Sequence, residues 1–183
     1  MEHFRAAIRL DPKFAEPYSN LGALLYMGQR YGEAALEYSE AIRLSPTNAG
    51  IRFNAGLAFL KAHRGEEAKT QLNEAARLRP DWAEPLNAQA WALATSSDAQ
   101  IRNGAEAVRL AEKAAELTAQ KQPMILNTLA AAYAEAGRFD DALTTANRAL
   151  ELSKQPNRTS LTDKIERAIA LYQSHTPFRD NTE

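Results

Sequence analysis

Residues 18–46 read YSNLGALLYMGQRYGEAALEYSEAIRLSP, and this stretch decides the fold. Tyr18, Leu21, Gly22 and Leu25 recur at three and four residues, so they share one face of a helix. Ala34, Tyr38, Ala41 and Ile42 do the same on a second helix. Gly28-Gln29 supplies a tight turn between them. Pro46 ends the second helix, because the residue before a proline disfavours the α region. Gly22 and Ala34 are small where the paired helices have to approach closely.

The same pattern returns on either side. Pro12, Pro46 and Pro80 stand at a step of 34 residues, and Ala7, Ala41 and Ala75 keep it. So do Gly22 and Gly56, and Ala34 and Ala68. The flanking segments FRAAIRLDP, YSEAIRLSP and LNEAARLRP match as well. The second unit carries Ala55, Gly56, Phe59, Ala68, Leu72 and Ala75, with Arg64-Gly65 as its turn. A fixed period of this length marks stacked helical hairpins that bury a shared core. The third unit opens on Pro85, Leu86, Ala90 and Leu93, but Ala107 follows Ala68 by 39 residues. The five extra residues fall in Thr95–Gly104, a stretch rich in turn formers, which predicts an outward loop tolerant of shortening. The fourth unit carries Leu126, Leu129, Ala130, Tyr133, Gly137, Phe139, Ala142, Ala146 and Ala149. After Pro156, the residues Leu161, Ile165, Ala168, Ile169 and Tyr172 form one more apolar stripe, as a terminal capping helix requires.

Tyr18, Leu21-Gly22, Leu25, Ala34, Tyr38, Ala41 and Pro46 together resemble the tetratricopeptide repeat. The resemblance implies an all-α right-handed solenoid of helix-turn-helix hairpins with a C-terminal capping helix. Residues 1–13 are a partial repeat, and 14–47, 48–81, 82–120 and 121–155 are full ones. Residues 157–174 are the cap, so a single solenoid runs over 1–174, followed by a flexible tail over 175–183, from which Pro177-Phe178-Arg179 is able to pack back. Met1–Leu10 matches only the second helix of a unit, which predicts the C-terminal part of a longer array. The segments LATSSDAQIRNGAEAVRLAEKAAELT, LAAAYAEAGRFDDAL and LYQSHTPFRD are similar to the ends of certain bacterial arrays.

Composition narrows the function. The 183 residues carry 22 Lys+Arg against 23 Asp+Glu, a net charge of −1, which argues against nucleic acid as the partner. The absence of cysteine removes disulfides, thiolate metal sites and cysteine nucleophiles. No apolar run reaches the roughly 20 residues of a bilayer span, so direct membrane insertion is not expected. His3, His63 and His175 lack metal-ligand spacing, so no metal or cofactor is expected. Glu66-Glu67 and Asp140-Asp141 open second helices, where negative charge favours the helix dipole. Ser96, Ser97 and Asp98 lie in the long loop with no neighbouring histidine, and no phosphate-binding glycine motif is present. The chain therefore reads as no enzyme.

The resemblance implies a peptide-binding groove lined by the first helix of each hairpin. Projection away from the buried stripe selects Asn20, Tyr26, Phe53, Asn54, Leu57, Asn87, Trp91 and Asn127, with Glu84, Thr95 and Glu135 also facing inward. The clamp with which some relatives grip a terminal carboxylate maps to Ser19, Ala23, Asn54, Glu84 and Ala88, of which only Asn54 fits. The asparagine ladder of O-linked N-acetylglucosamine transferase is matched by Asn20 and Asn54 and broken at Ala88 and Thr128. The competing reading has these side chains packing against neighbouring helices with no partner. The expected function is non-catalytic binding of a protein or peptide. The alternative is an accessory docking or self-assembly segment of a larger enzyme, such as a glycosyltransferase-like protein. Phe4, Ala7 and Ile8 at the N-terminal edge predict a homo-oligomer.

Overall fold

The computed structural model describes residues 1–153 and 160–180. The boundaries expected at 155 and 157, and Pro156, lie outside these residues. The described residues form helices and no strands, and within each of two compact units the helices pack consecutively, as in the hairpins of a solenoid. The two units are Met1–Pro80 and Asp81–Glu183.

Unit 1 holds α1 (Glu2–Leu10), α2 (Ala15–Met27), α3 (Tyr31–Leu44), α4 (Ala49–Lys61) and α5 (Gly65–Leu78). Each helix packs against the next. Leu21 and Leu25 on α2, Ala34, Tyr38 and Ala41 on α3, and Ala55 and Phe59 on α4 form one buried cluster. The small residues of the repeat act as spacers. A Cβ on Gly22 would stand 3.1 Å from the Tyr38 ring, and one on Gly56 would stand 2.7 Å from Cδ2 of Leu72. The tight turns differ in one respect from expectation. The left-handed step falls on Gln29 (φ 60) and His63 (φ 58), while Gly28 keeps φ −81 and Gly65 is the first residue of α5. The step is needed one residue after each helix cap, wherever the glycine lies. Arg30 and Arg64 then pair with Glu33 and Glu67 in the first turn of the following helix.

Unit 2 holds α6 (Ala83–Thr95), α7 (Gly104–Leu117), α8 (Pro123–Glu135), α9 (Phe139–Ser153) and α10 (Ser160–Gln173). The first helices α6 and α8 pack directly on each other, and both bury small residues, Ala90 and Ala94 on one and Ala130, Ala131 and Ala134 on the other. Ile165, Ala168 and Tyr172 bury the apolar stripe of α10, which packs on α9 and α8 as a cap.

The loop and the tail of this unit are both held by specific contacts. The loop between α6 and α7 is not a loose bulge. Arg102 Nη1 donates to the carbonyls of Ser96 (2.9 Å) and Ser97 (3.1 Å), and its Nε donates to Glu135 Oε1 (3.1 Å). Asn103 N–H donates to Leu93 O, while its side chain caps α7 at the Glu106 N–H. Gly104 lies so close to α8 that a Cβ there would stand 2.7 Å from Ala136 N. The insertion is thus stitched to the helices it joins. The described part of the tail lies against the helices. His175 takes a left-handed step (φ 54) and stacks edge-on against Phe139 at 5.1 Å. The chain then turns back, and Phe178 is 9% exposed. Pro177-Phe178-Arg179 does pack back, as its composition allows.

Candidate peptide-binding faces on the first helices

In unit 1 the candidate face belongs to α2 and α4. Asn20 and Tyr26 are half-buried on α2, and Phe53 and Leu57 are half-buried on α4 beside an exposed Asn54. Tyr26 packs against the core and meets Tyr31 edge-on, with ring centroids 5.2 Å apart. Burial pushes its hydroxyl pKa up. Tyr26 therefore also serves in packing α2 on α3, as the competing reading allowed. A cavity of about 320 Å³ opens nearby, lined by Phe14, Glu16, Ser19, Ser45, Asn48 and Ile51. Asn48 at its edge spends its side chain on the N-cap of α4, accepting from Ile51 N–H at 3.1 Å.

In unit 2 the face belongs to α6 and α8. Asn127 is 3% exposed, and the side-chain oxygens of Asn87, Gln89 and Asn127 are buried without a hydrogen-bond donor among the described residues. Trp91 is half-buried, and what covers it is the tail. Its Nε1 donates to Asp180 Oδ2 at 2.8 Å, and its ring lies 5.8 Å from that of Phe178. Lys164, on α10, sets its Nζ 4.2 Å from the centre of the Trp91 ring and 3.2 Å from Asp180 Oδ2. Asp180 N–H donates to Thr95 O at 3.0 Å, the carbonyl at the last turn of α6. Arg179 reaches Glu135 Oε2 at 2.7 Å, so Glu135 stands between Arg179 and Arg102.

Inward projection thus identified Trp91 and Glu135 as residues able to receive a segment. Thr95, also placed inward by that projection, receives it through a main-chain oxygen, whereas Lys164 was missed because it sits on the cap. Asn20, Phe53, Asn54 and Leu57 belong to unit 1. Among the described residues no group of three or more His, Asp or Glu side chains is arranged to hold a metal ion. No described helix is long and apolar enough to cross a membrane.

A family model described as a TPR repeat matches residues 24–62, which span the second half of α2 through α4. No curated protein matches the sequence. Among solved structures, the chain is similar to TTC0263, a thermophilic TPR protein of Thermus thermophilus. The identity is 21%, the TM-score 0.71, and 92% of this chain and 88% of that one are covered. It is similar to MamA from Desulfovibrio magneticus RS-1 at 16% identity and a TM-score of 0.67, covering 88% and 90%. It also matches the Cut9-Hcn1 hetero-tetramer of the APC/C at 17% identity and a TM-score of 0.71, covering 94% of this chain and 34% of that one. At these identities the likeness is one of fold. The alternative of a glycosyltransferase-like accessory segment draws no support from them.

Proposed function

We propose that this chain, a tetratricopeptide repeat protein, is a non-catalytic scaffold that holds a protein or peptide partner on the faces of its first helices. Repeats of this kind are in general interaction scaffolds. The partner-facing residues are Asn20, Tyr26, Phe53, Asn54 and Leu57 in unit 1, and Asn87 and Trp91 in unit 2, while Asn127, expected on this face, is buried. Half-buried apolar side chains supply burial, and neighbouring amides pair with the main chain of an incoming segment. One observation carries the reading. In unit 2 a non-helical peptide segment already lies on this face and seats an aromatic and an acidic side chain on Trp91. The balanced net charge and the poor match to the carboxylate clamp point to a ligand gripped along its length.

Selection of peptides from a displayed library on the intact chain tests this. Selected peptides should lose about tenfold or more in affinity on Phe53→Ala or Asn54→Ala, with the melting temperature little changed, since about 1.4 kcal/mol is a factor of ten. Peptides that bind yet ignore substitutions on both α4 and α6 would place the binding surface elsewhere.

A further inference from the structure

We propose that the face of unit 2 formed by α6, α8 and α10 recognises a linear segment of the chemistry aromatic–arginine–aspartate. Phe178-Arg179-Asp180 then fills it in cis as a displaceable plug. The proposal deepens the groove reading and rests on it.

The three consecutive side chains meet receivers on α6, α8 and α10, with Trp91 serving two of them. Phe178 takes the face beside Trp91, from α6. Arg179 meets Glu135, from α8, whose other oxygen is already held in place by Arg102. Asp180 takes two donors, Trp91 Nε1 and Lys164 Nζ, from α6 and α10. The main chain is fixed as well, through Asp180 N–H to Thr95 O. A side-chain pocket, two charge contacts of opposite sign and a main-chain hydrogen bond are the elements by which folded domains read short linear segments. The charge order is specific: reversing the arginine and aspartate would bring like charges onto Glu135 and Lys164.

Several features set the plug apart from the permanent core. Tyr172 and Ile165 are fully buried, whereas residues 173–176, which lead from α10 to the plug, are exposed. One buried ring and a few ion pairs offset the ordering of the segment from Ser174 to Asp180, so docking is closely balanced. A tethered segment works at an effective concentration on the order of millimolar. If the free segment binds with a Kd of about 100 μM, the plug weakens a competing peptide about tenfold. An external partner bearing the same chemistry displaces it.

The test uses the full chain with Phe178→Ser, Arg179→Ser and Asp180→Ser combined. The probe is a fluorescent synthetic peptide of residues 174–183. We expect the triple variant to bind this peptide at least tenfold more tightly than the wild type, and further substitution of Trp91→Ala or Glu135→Gln to abolish the gain. A folded triple variant that binds no better than the wild type overturns the proposal. The groove reading survives that outcome if library-selected peptides still respond to Phe53→Ala. Should the triple variant lose its helical signal, hydrogen exchange on the wild type decides. Exchange at Asp180 N–H much faster than at Ala168 supports a displaceable plug, and equal rates make the segment a fixed part of the core.

Discussion

Trp91 and Asp180, 89 positions apart in the chain, are joined by a hydrogen bond of 2.8 Å from the indole nitrogen to a carboxylate oxygen. The contact is charge-assisted and half-buried, so it is stronger than a neutral surface pair. Trp91→Phe keeps an aromatic ring and removes the donor. In a double-mutant cycle with Asp180→Ala, which removes the acceptor, the coupling between the two positions should be about 1 kcal/mol, read by urea unfolding. A coupling indistinguishable from zero would show that the ring, and not the hydrogen bond, holds the tail.

Glu135 is shared by Arg102 and Arg179, and its side chain is 13% exposed. Glu135→Gln removes the negative charge between two guanidinium groups and puts an amide N–H2 donor where one of them finds its acceptor oxygen. We expect a loss of about 2 kcal/mol, or roughly 4–8 °C in the melting transition of the 183-residue chain. Shortening residues 96–102 to a tight turn should cost a similar amount, because it removes Arg102 and its bonds to Ser96 and Ser97. Thermal unfolding followed by circular dichroism checks both.

Gly56 and Gly32 give opposite expectations for the same substitution. A Cβ at Gly56 would meet Leu72 at 2.7 Å, so Gly56→Ala forces α4 and α5 apart and should cost about 1–3 kcal/mol. At Gly32, in the first turn of α3, nothing lies within 4 Å. Gly32→Ala should raise stability by up to about 1 kcal/mol through backbone entropy alone. Denaturant midpoints of the two variants, measured side by side, should move in opposite directions.

Tyr38 is 2% exposed, and burial pushes its pKa up from the ordinary 10 to about 12. Above pH 10 the unfolded tyrosine loses its proton while the folded one keeps it. The folded state then binds more protons, and stability falls as pH rises from 10 through 12. The contribution lost is no more than about 3 kcal/mol. Tyr38→Phe should flatten this part of the stability profile. A residual slope is expected from Tyr172, whose pKa burial also raises.

No residue of α1 is fully buried, although Phe4 and Ile8 lean on the core of unit 1. Leu10 is 88% exposed and Phe14 49%. Apolar surface at the end of a repeat stack favours association with another copy. Sedimentation should show a mass that grows with concentration, and Phe4→Ser with Ile8→Ser should return it to monomer. A wild-type chain that stays monomeric at millimolar concentration would refute this.

The sequence by itself determined the hairpins. Ala34, Ala68, Tyr38 and Leu72 are buried where the 34-residue step places them, and the helices run between the turns it marks. This was legible because a helix repeats its buried face every three to four residues, and the repeat copies that pattern from unit to unit. The Glu and Asp pairs also fell at helix starts, where Glu67 and Asp141 are paired with Arg64 and Arg138. Tertiary structure alone decided the rest. Nothing periodic marks Lys164 as a partner of Trp91, or Arg102 and Arg179 as joint partners of Glu135. These contacts join segments far apart in sequence, and they exist only once the cap has brought the chain back over α6. The left-handed steps at Gln29 and His63 escaped for a related reason. Their conformation follows from the geometry of the helix end, and glycine is merely the residue that adopts it at least cost.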